Sequence, residues 1–186
     1  MKVCVYGLDF DGTICDTGRL KKKYLWDKYG IQISLWQANR TTLTSQGILT
    51  DTQYNQMVEY ISSKQSTLNC PPLAGVYKSI KSLSEKGIVY IITGRNGKGF
   101  STAVEWMHKR GLDEFVEGYI TSNKIKDKLG ICCQRNITHL IDDDPGHFKD
   151  MNPQVKAILM QTGLEQTPPD NGVIHVNCWE EAMKHL

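Results

Sequence analysis

Six short apolar runs, at residues 3–8, 88–92, 119–121, 137–141, 155–160 and 173–176, are separated by longer stretches with helical periodicity. Parallel strands need a crossover of a dozen or more residues between them, and that crossover is usually a helix. The alternation therefore predicts an α/β fold with a doubly wound, mainly parallel, Rossmann-like sheet. In an open sheet of this kind the carboxyl ends of the strands share one edge, and ligands bind there. The residues that follow each apolar run are thus the first place to look for chemistry.

Behind the first run stands DFDGTI at 9–14. Alternation along a strand sends Asp9 and Asp11 to one side and Phe10 to the other. Two carboxylates so close repel, so the site needs a cation or one of them must hold a proton. Gly12 permits a sharp exit, and Thr13 adds a hydroxyl. Alone, this would read as an acidic turn. Three later stretches, IITGR at 91–95, SNK at 122–124 and LIDDDP at 140–145, bring polar residues to the same predicted edge. The set comprises a carboxylate nucleophile, a second acid, a hydroxyl, a lysine and another acidic cluster. That inventory suits phosphoryl transfer, where positioning and charge neutralisation supply most of the catalysis.

DFDGTI, ITGR, SNK and IDDDP, in that order, resemble the four motifs of the haloacid dehalogenase (HAD) superfamily of phosphohydrolases. The resemblance implies Asp9 as nucleophile, forming an aspartyl phosphate, and Asp11 as general acid and then base. An acid at the second position favours phosphate chemistry over carbon–halogen cleavage. It also implies Thr93 and Lys124 as partners of the phosphoryl oxygens, with Lys126 a competitor, and Gly94 and Arg95 as substrate-binding residues. Magnesium, a hard cation that takes oxygen ligands, would be held by Asp9, the backbone carbonyl of Asp11 and Asp142, with Asp143 as a further ligand or just behind; which of the three consecutive acids at 142–144 faces the ion is left open. Asp144, before Pro145, either continues the acidic set or only shapes the turn. From IITGR to the closing NCWEEA the chain is more loosely similar to the 5'(3')-deoxyribonucleotidase-like branch, which implies a nucleoside monophosphate as substrate. A phosphosugar or a nucleic-acid terminal phosphate is the alternative. Phosphomutase activity, a signalling receiver domain and a non-catalytic phosphate-binding module are the rival readings. A receiver would place its paired acids first and the phosphorylated Asp mid-chain.

Residues 17–72 carry no motif, and the resemblance implies a small helical cap there, inserted into a core of 1–16 and 73–186. Helical spacing predicts helices over 17–29, with Leu20, Tyr24 and Leu25 on one face and Gly30 as the stop, and from 50 or 51 to about 64. A short, weaker segment lies at 35–40. Thr50 and Gln53 fit a capping box, as do Asn177 and Glu180 before the last helix. The cap segment holds seven Lys or Arg against three Asp or Glu. Lys21–Lys23 could steer an anion or merely face water. Trp26, Trp36, Tyr24, Tyr29, Tyr54 and Tyr60 could stack on a base, or form the cap's core.

The net charge of +2 over 186 residues argues against bulk nucleic-acid binding. No apolar run approaches the ~20 residues of a membrane span. The six cysteines form no recognisable metal or disulfide framework and are expected as reduced thiols. The first strand starts too early for a signal peptide, so a cytoplasmic protein is expected. The expected partner is a small phosphorylated substrate; oligomeric state is left open.

Overall fold

A computed structural model describes residues 3–122, 127–163 and 172–186. Its six strands are β1 (Cys4–Leu8), β2 (Gly87–Thr93), β3 (Gly118–Thr121), β4 (His139–Asp142), β5 (Lys156–Met160) and β6 (Ile174–Val176). They form one sheet in the order β3-β2-β1-β4-β5-β6, with every pairing parallel. The order reverses at β1, where the chain turns from one half of the sheet to the other. Crevices for ligands form at such a switch point, and DFDGTI leaves the sheet there.

Strand alternation divides the core into two apolar layers. Tyr6 and Leu8 join Phe10, Ile80, Leu83, Trp106, Met107 and Trp179 on one face. Val5, Ile92, Leu140 and Leu159 pack on the other. With both faces covered, the strands read as continuous apolar runs, which is why they stand out in the sequence. The covering helices include α5 (Val76–Lys86), α6 (Gly97–Lys109) and α8 (Trp179–Met183), with α7 (Asp127–Gln134) between β3 and β4.

Between β1 and α5 lie α1 (Thr17–Tyr29), a 3-10 turn at Leu35–Gln37, α2 (Arg40–Ser45), α3 (Asp51–Ser62) and α4 (Lys64–Asn69). They share a further apolar cluster of Leu25, Ile33, Leu43, Leu49, Met57 and Ile61. The two chain passages joining this segment to the sheet lie side by side. Asp16 N donates to Pro71 O at 2.9 Å and Leu73 N to Ile14 O at 2.9 Å. Each passage is also fixed by a buried indole: Trp179 Nε1 donates to Thr13 O and Trp106 Nε1 to Cys70 O, both at 2.8 Å.

Several local expectations need correction. The helix read over 75–86 does end at Gly87, which caps α5 in extended rather than left-handed backbone and is at once the first residue of β2. A Cβ there would lie 2.2 Å from Cys4 O, so close strand approach is what demands glycine. The Thr50–Gln53 capping box is present, but before α8 it is Glu181, not Glu180, that reaches back, to Asn177 N at 2.7 Å. On α1 the buried stripe is Thr17, Lys21 and Leu25, and Leu20 and Tyr24 are only half-buried. Among the described residues, no helix is long and apolar enough to cross a membrane.

Candidate active site

Asp9 follows β1 and its N–H donates to Ile141 O of β4 at 2.9 Å, which seats it against the neighbouring strand. Asp142 ends β4, so the two carboxylates meet across the switch point. Between them sits Lys128, fully buried in the first turn of α7, with Nζ 2.5 Å from Asp9 Oδ1 and 2.5 Å from Asp142 Oδ2. His147 Nδ1 lies 2.8 Å from the same Asp142 oxygen, and Asp144 N donates to Asp142 Oδ1 at 2.9 Å. Asp142 thereby accepts from three donors.

These surroundings set the acids apart. Burial would raise the Asp142 carboxyl, but Lys128 and His147 outweigh it and hold the group well below the ordinary range. Burial lifts Asp9 to about 6 even though Lys128 opposes the rise, and Asp142 and Asp11 add to it. Asp143 is pushed well up, first by burial and then, against the pull of Lys21, by Asp9, Asp142 and Asp144. Carboxylate oxygens of Asp9, Asp142 and Asp143 all lie within 4.8 Å of one another. Three acids so placed are uncomfortable without a further cation, and an all-oxygen set suits a hard divalent ion. The cluster is thus capable of holding a divalent metal. Gly12 makes room for it: φ is +84°, and a Cβ there would fall 2.2 Å from Asp143 Oδ2.

Asp11 takes a different course from its neighbour. Arg95 grips it with two hydrogen bonds, Nε to Oδ2 at 2.8 Å and Nη2 to Oδ1 at 2.7 Å. The third arm of the guanidinium, Nη1, donates to Thr67 Oγ1 of α4 at 2.6 Å, and the group lies 4.9 Å above the Phe10 ring. Burial acts to raise the Asp11 carboxyl, but the Arg95 charge and hydrogen bonds prevail and lower it. Arg95, expected to bind substrate, lines the cavity and is bonded there to Asp11 and to the helical segment.

Thr93 is buried at the end of β2, and its hydroxyl accepts from Arg95 N at 3.2 Å, a turn-shaping contact. Gly94, Arg95 and Ser122 line a cavity of about 330 Å³ together with Asp9, Asp11 and Asp143, but Thr93 does not. Lys124 and Lys126 lie outside the described residues; among the described residues, Lys128 is the lysine that reaches both Asp9 and Asp142. Asp144 does shape the turn, accepting from Gly146 N at 2.9 Å, and it also accepts from Thr41 N of α2 at 3.1 Å. The helical segment contributes Lys21, Asn39, Arg40, Tyr54 and Asn55 to the cavity wall. Of the six aromatic candidates in this segment, only Tyr54 lines it; Trp26 is exposed.

Sequence reasoning missed Lys128 and His147, although Lys128 carried a signal. It stands three and four residues before Ile131 and Cys132 on the inward stripe of α7, where a lysine must have a buried partner.

No family model and no curated protein matches the chain. Solved structures do. The haloacid dehalogenase-like hydrolase SP0104 of Streptococcus pneumoniae superposes with a TM-score of 0.65 at 15% identity, covering 98% of this chain and 98% of that one. YfnB of Bacillus subtilis, bound to magnesium, gives 0.60 at 13% identity over 100% and 99%. A HAD-superfamily subfamily IA hydrolase from Geobacter sulfurreducens gives 0.58 at 11% over 98% and 96%. The chain therefore has the fold of the HAD-superfamily hydrolases. At this identity the likeness speaks to the fold, not to a branch within it.

Proposed function

We propose that this protein is a magnesium-dependent phosphomonoester hydrolase that works through an aspartyl phosphate on Asp9. The observation that carries the reading is the pairing of two carboxylates two residues apart with opposite surroundings. Asp9 is held by Lys128 beside the acidic cluster, and Asp11 is held by Arg95, both on one cavity. The order of the four motifs and the HAD fold support it.

A phosphomonoester in the cavity would place phosphorus against an Asp9 oxygen. That oxygen forms the new P–O bond as the ester P–O bond breaks. Asp11 gives its proton to the departing alkoxide and then, ionised, takes a proton from the water that hydrolyses the aspartyl phosphate. Arg95 presets Asp11 as the base of the second step. The acid role requires a proton, and an arriving phosphoryl dianion favours that proton by repelling a carboxylate. Lys128 orients Asp9 and balances its charge from behind the cavity wall, which it does not line, while Thr93 positions the turn that carries Gly94 and Arg95. Asp9, Asp142, Asp143 and the Asp11 carbonyl would hold magnesium, which when bound neutralises charge gathering on the phosphoryl oxygens.

The helical segment over the site acts as a cap that sets specificity. We place a nucleoside monophosphate first among substrates, because the cavity of about 330 Å³ is lined by Tyr54 and Asn55 as well as by the reacting acids. A phosphosugar would use the Asn55 amide and leave the ring idle. Six unpaired cysteines support a reducing, cytoplasmic setting. The test is hydrolysis of 4-nitrophenyl phosphate and a panel of nucleotides with magnesium. Activity should vanish with EDTA and in Asp9→Asn, and acid quenching should trap a phosphoenzyme. Turnover by Asp9→Asn near the wild-type rate would mean that water attacks phosphorus directly.

A further inference from the structure

Lys21 lies on α1 in a run of three lysines, yet it behaves unlike the other two. Lys22 and Lys23 are exposed, and Lys23 pairs with Asp27 at 2.6 Å. Lys21 is only 6% exposed, because its place between Thr17 and Leu25 puts it on the inward stripe of the helix. Its ammonium donates to Ala38 O at 2.8 Å, and among the described residues no carboxylate comes within 4.0 Å of it.

An ammonium carries three N–H donors and is costly to bury unless paired and hydrogen-bonded. Here one donor is used. The side chain nevertheless lines the cavity that Asp9, Asp11 and Asp143 also line, and the fields of Asp143, Tyr54, Asp11 and Asp9 counter its burial and keep it charged. Its charge is therefore held by the reacting end of the site at more than contact distance. The cavity that Lys21 and these acids share, of about 330 Å³, is room for a ligand. Arg40, the other cation of this wall, is exposed, lies over the Tyr54 ring and faces Asp51, so it is placed for the outer end of the cavity.

We propose that Lys21 is a phosphoryl-binding residue delivered by the cap segment: it donates to a non-bridging oxygen of the phosphoryl group seated over Asp9. The inference rests on the hydrolase reading for its substrate. It changes the division of labour that the motifs suggest, since all four lie outside 17–72. Under it, the helical segment supplies a group to the reacting centre as well as to the leaving-group end.

The test uses inorganic phosphate as probe, titrated calorimetrically into the magnesium-loaded protein, with Lys21→Met and Lys21→Gln. Both remove the charge; the glutamine can keep the bond to Ala38 O, so one variant folds if that contact is what the structure needs. Phosphate affinity should fall on the order of 10–100-fold, the worth of a hydrogen bond between charged groups. Magnesium affinity, measured in the same variants, should hold or tighten, because a repelling cation is gone from beside Asp143. Phosphate affinity within about twofold of wild type in either folded variant overturns the proposal. So does a parallel loss of magnesium and phosphate binding, which would mark Lys21 as structural. Hydrolysis of 4-nitrophenyl phosphate by the wild type separates the two readings. Lys21-dependent phosphate binding without turnover sinks the hydrolase reading alone, and turnover with Lys21-independent phosphate binding sinks only the role of Lys21.

Discussion

Replacing Lys128 by methionine keeps the length of the side chain and removes the one charge shared by Asp9 and Asp142. Both carboxylates are within 2.5 Å of that ammonium, and the lysine is fully buried. Breaking a buried ion pair by deleting one partner costs about 3–5 kcal/mol, because the other charges stay behind uncompensated. In a chain of this size each kcal/mol moves the melting temperature by about 2–4 °C, so a loss of roughly 6–20 °C is expected without metal. The loss should depend on pH, and the sign follows from linkage. Asp9 already sits at about 6, above its ordinary 3.8, through burial. Without Lys128 its carboxyl rises further, and Asp142 keeps only His147 and the Asp144 N–H to hold it low. A carboxyl whose folded pKa lies above its unfolded value binds the proton first in the folded state. Stability from that group is then lost as pH rises through the folded pKa. The deficit of Lys128→Met should thus be largest near pH ~8 and shrink toward pH ~5. Millimolar magnesium should restore part of it at the higher pH by replacing the missing charge. Urea unfolding of both proteins at the two pH values measures this directly. A deficit below about 1 kcal/mol at the higher pH, or one equal at both, would refute the account of Lys128 as the counter-charge of the buried acids.

Gly12→Ala forces a Cβ onto Asp143 Oδ2 at a φ of +84°. The backbone cost alone is about 1–2 kcal/mol, and calorimetry should show magnesium binding weakened because Asp143 must move. Unchanged metal affinity would remove Asp143 from the ligand set. Arg95→Lys should lower both kcat and thermal stability, since an ammonium cannot reproduce the fork on Asp11 together with the bond to Thr67. Parallel kinetics and melting would expose the error if neither moved. In the wild type, magnesium should raise the melting temperature more at pH ~8 than at pH ~5, because raised Asp9 and Asp143 hold protons that compete with the ion at the lower pH. Equal shifts in calorimetric scans would count against those two as ligands.

The sheet was legible because each strand is buried on both faces and so shows as a bare apolar run. The acids were legible because strand ends at the switch point have nowhere else to send consecutive carboxylates. What stayed hidden were the destinations of long side chains. Lys128 and Lys21 sit among other lysines, and only the inward stripes of α7 and α1 distinguish them. Both stripes could have been read: Lys128 stands four residues before Cys132, and Lys21 four before Leu25. Arg95 reads naturally as a ligand in ITGR. Nothing in the local sequence says that an acid 84 residues away will take its guanidinium. His147 follows DDDP by two residues and gives no sign of folding back on Asp142.

The four tryptophans make the two halves of the molecule separately visible in light. Trp106 and Trp179 are sealed in the core, each indole bonded to a carbonyl of a passage to the helical segment. Trp26 is exposed and Trp36 half-buried on the helical side. If the segment swings about the paired passages when substrate arrives, Thr13 and Cys70 stay clamped and the two core indoles keep their surroundings. The emission of Trp36, beside the groove lined by Gly12, Asp16 and Asp143, would change while theirs would not. The molecule thus carries its own reference and reporter fluorophores, and a variant with Trp26→Phe would leave a single signal for closure.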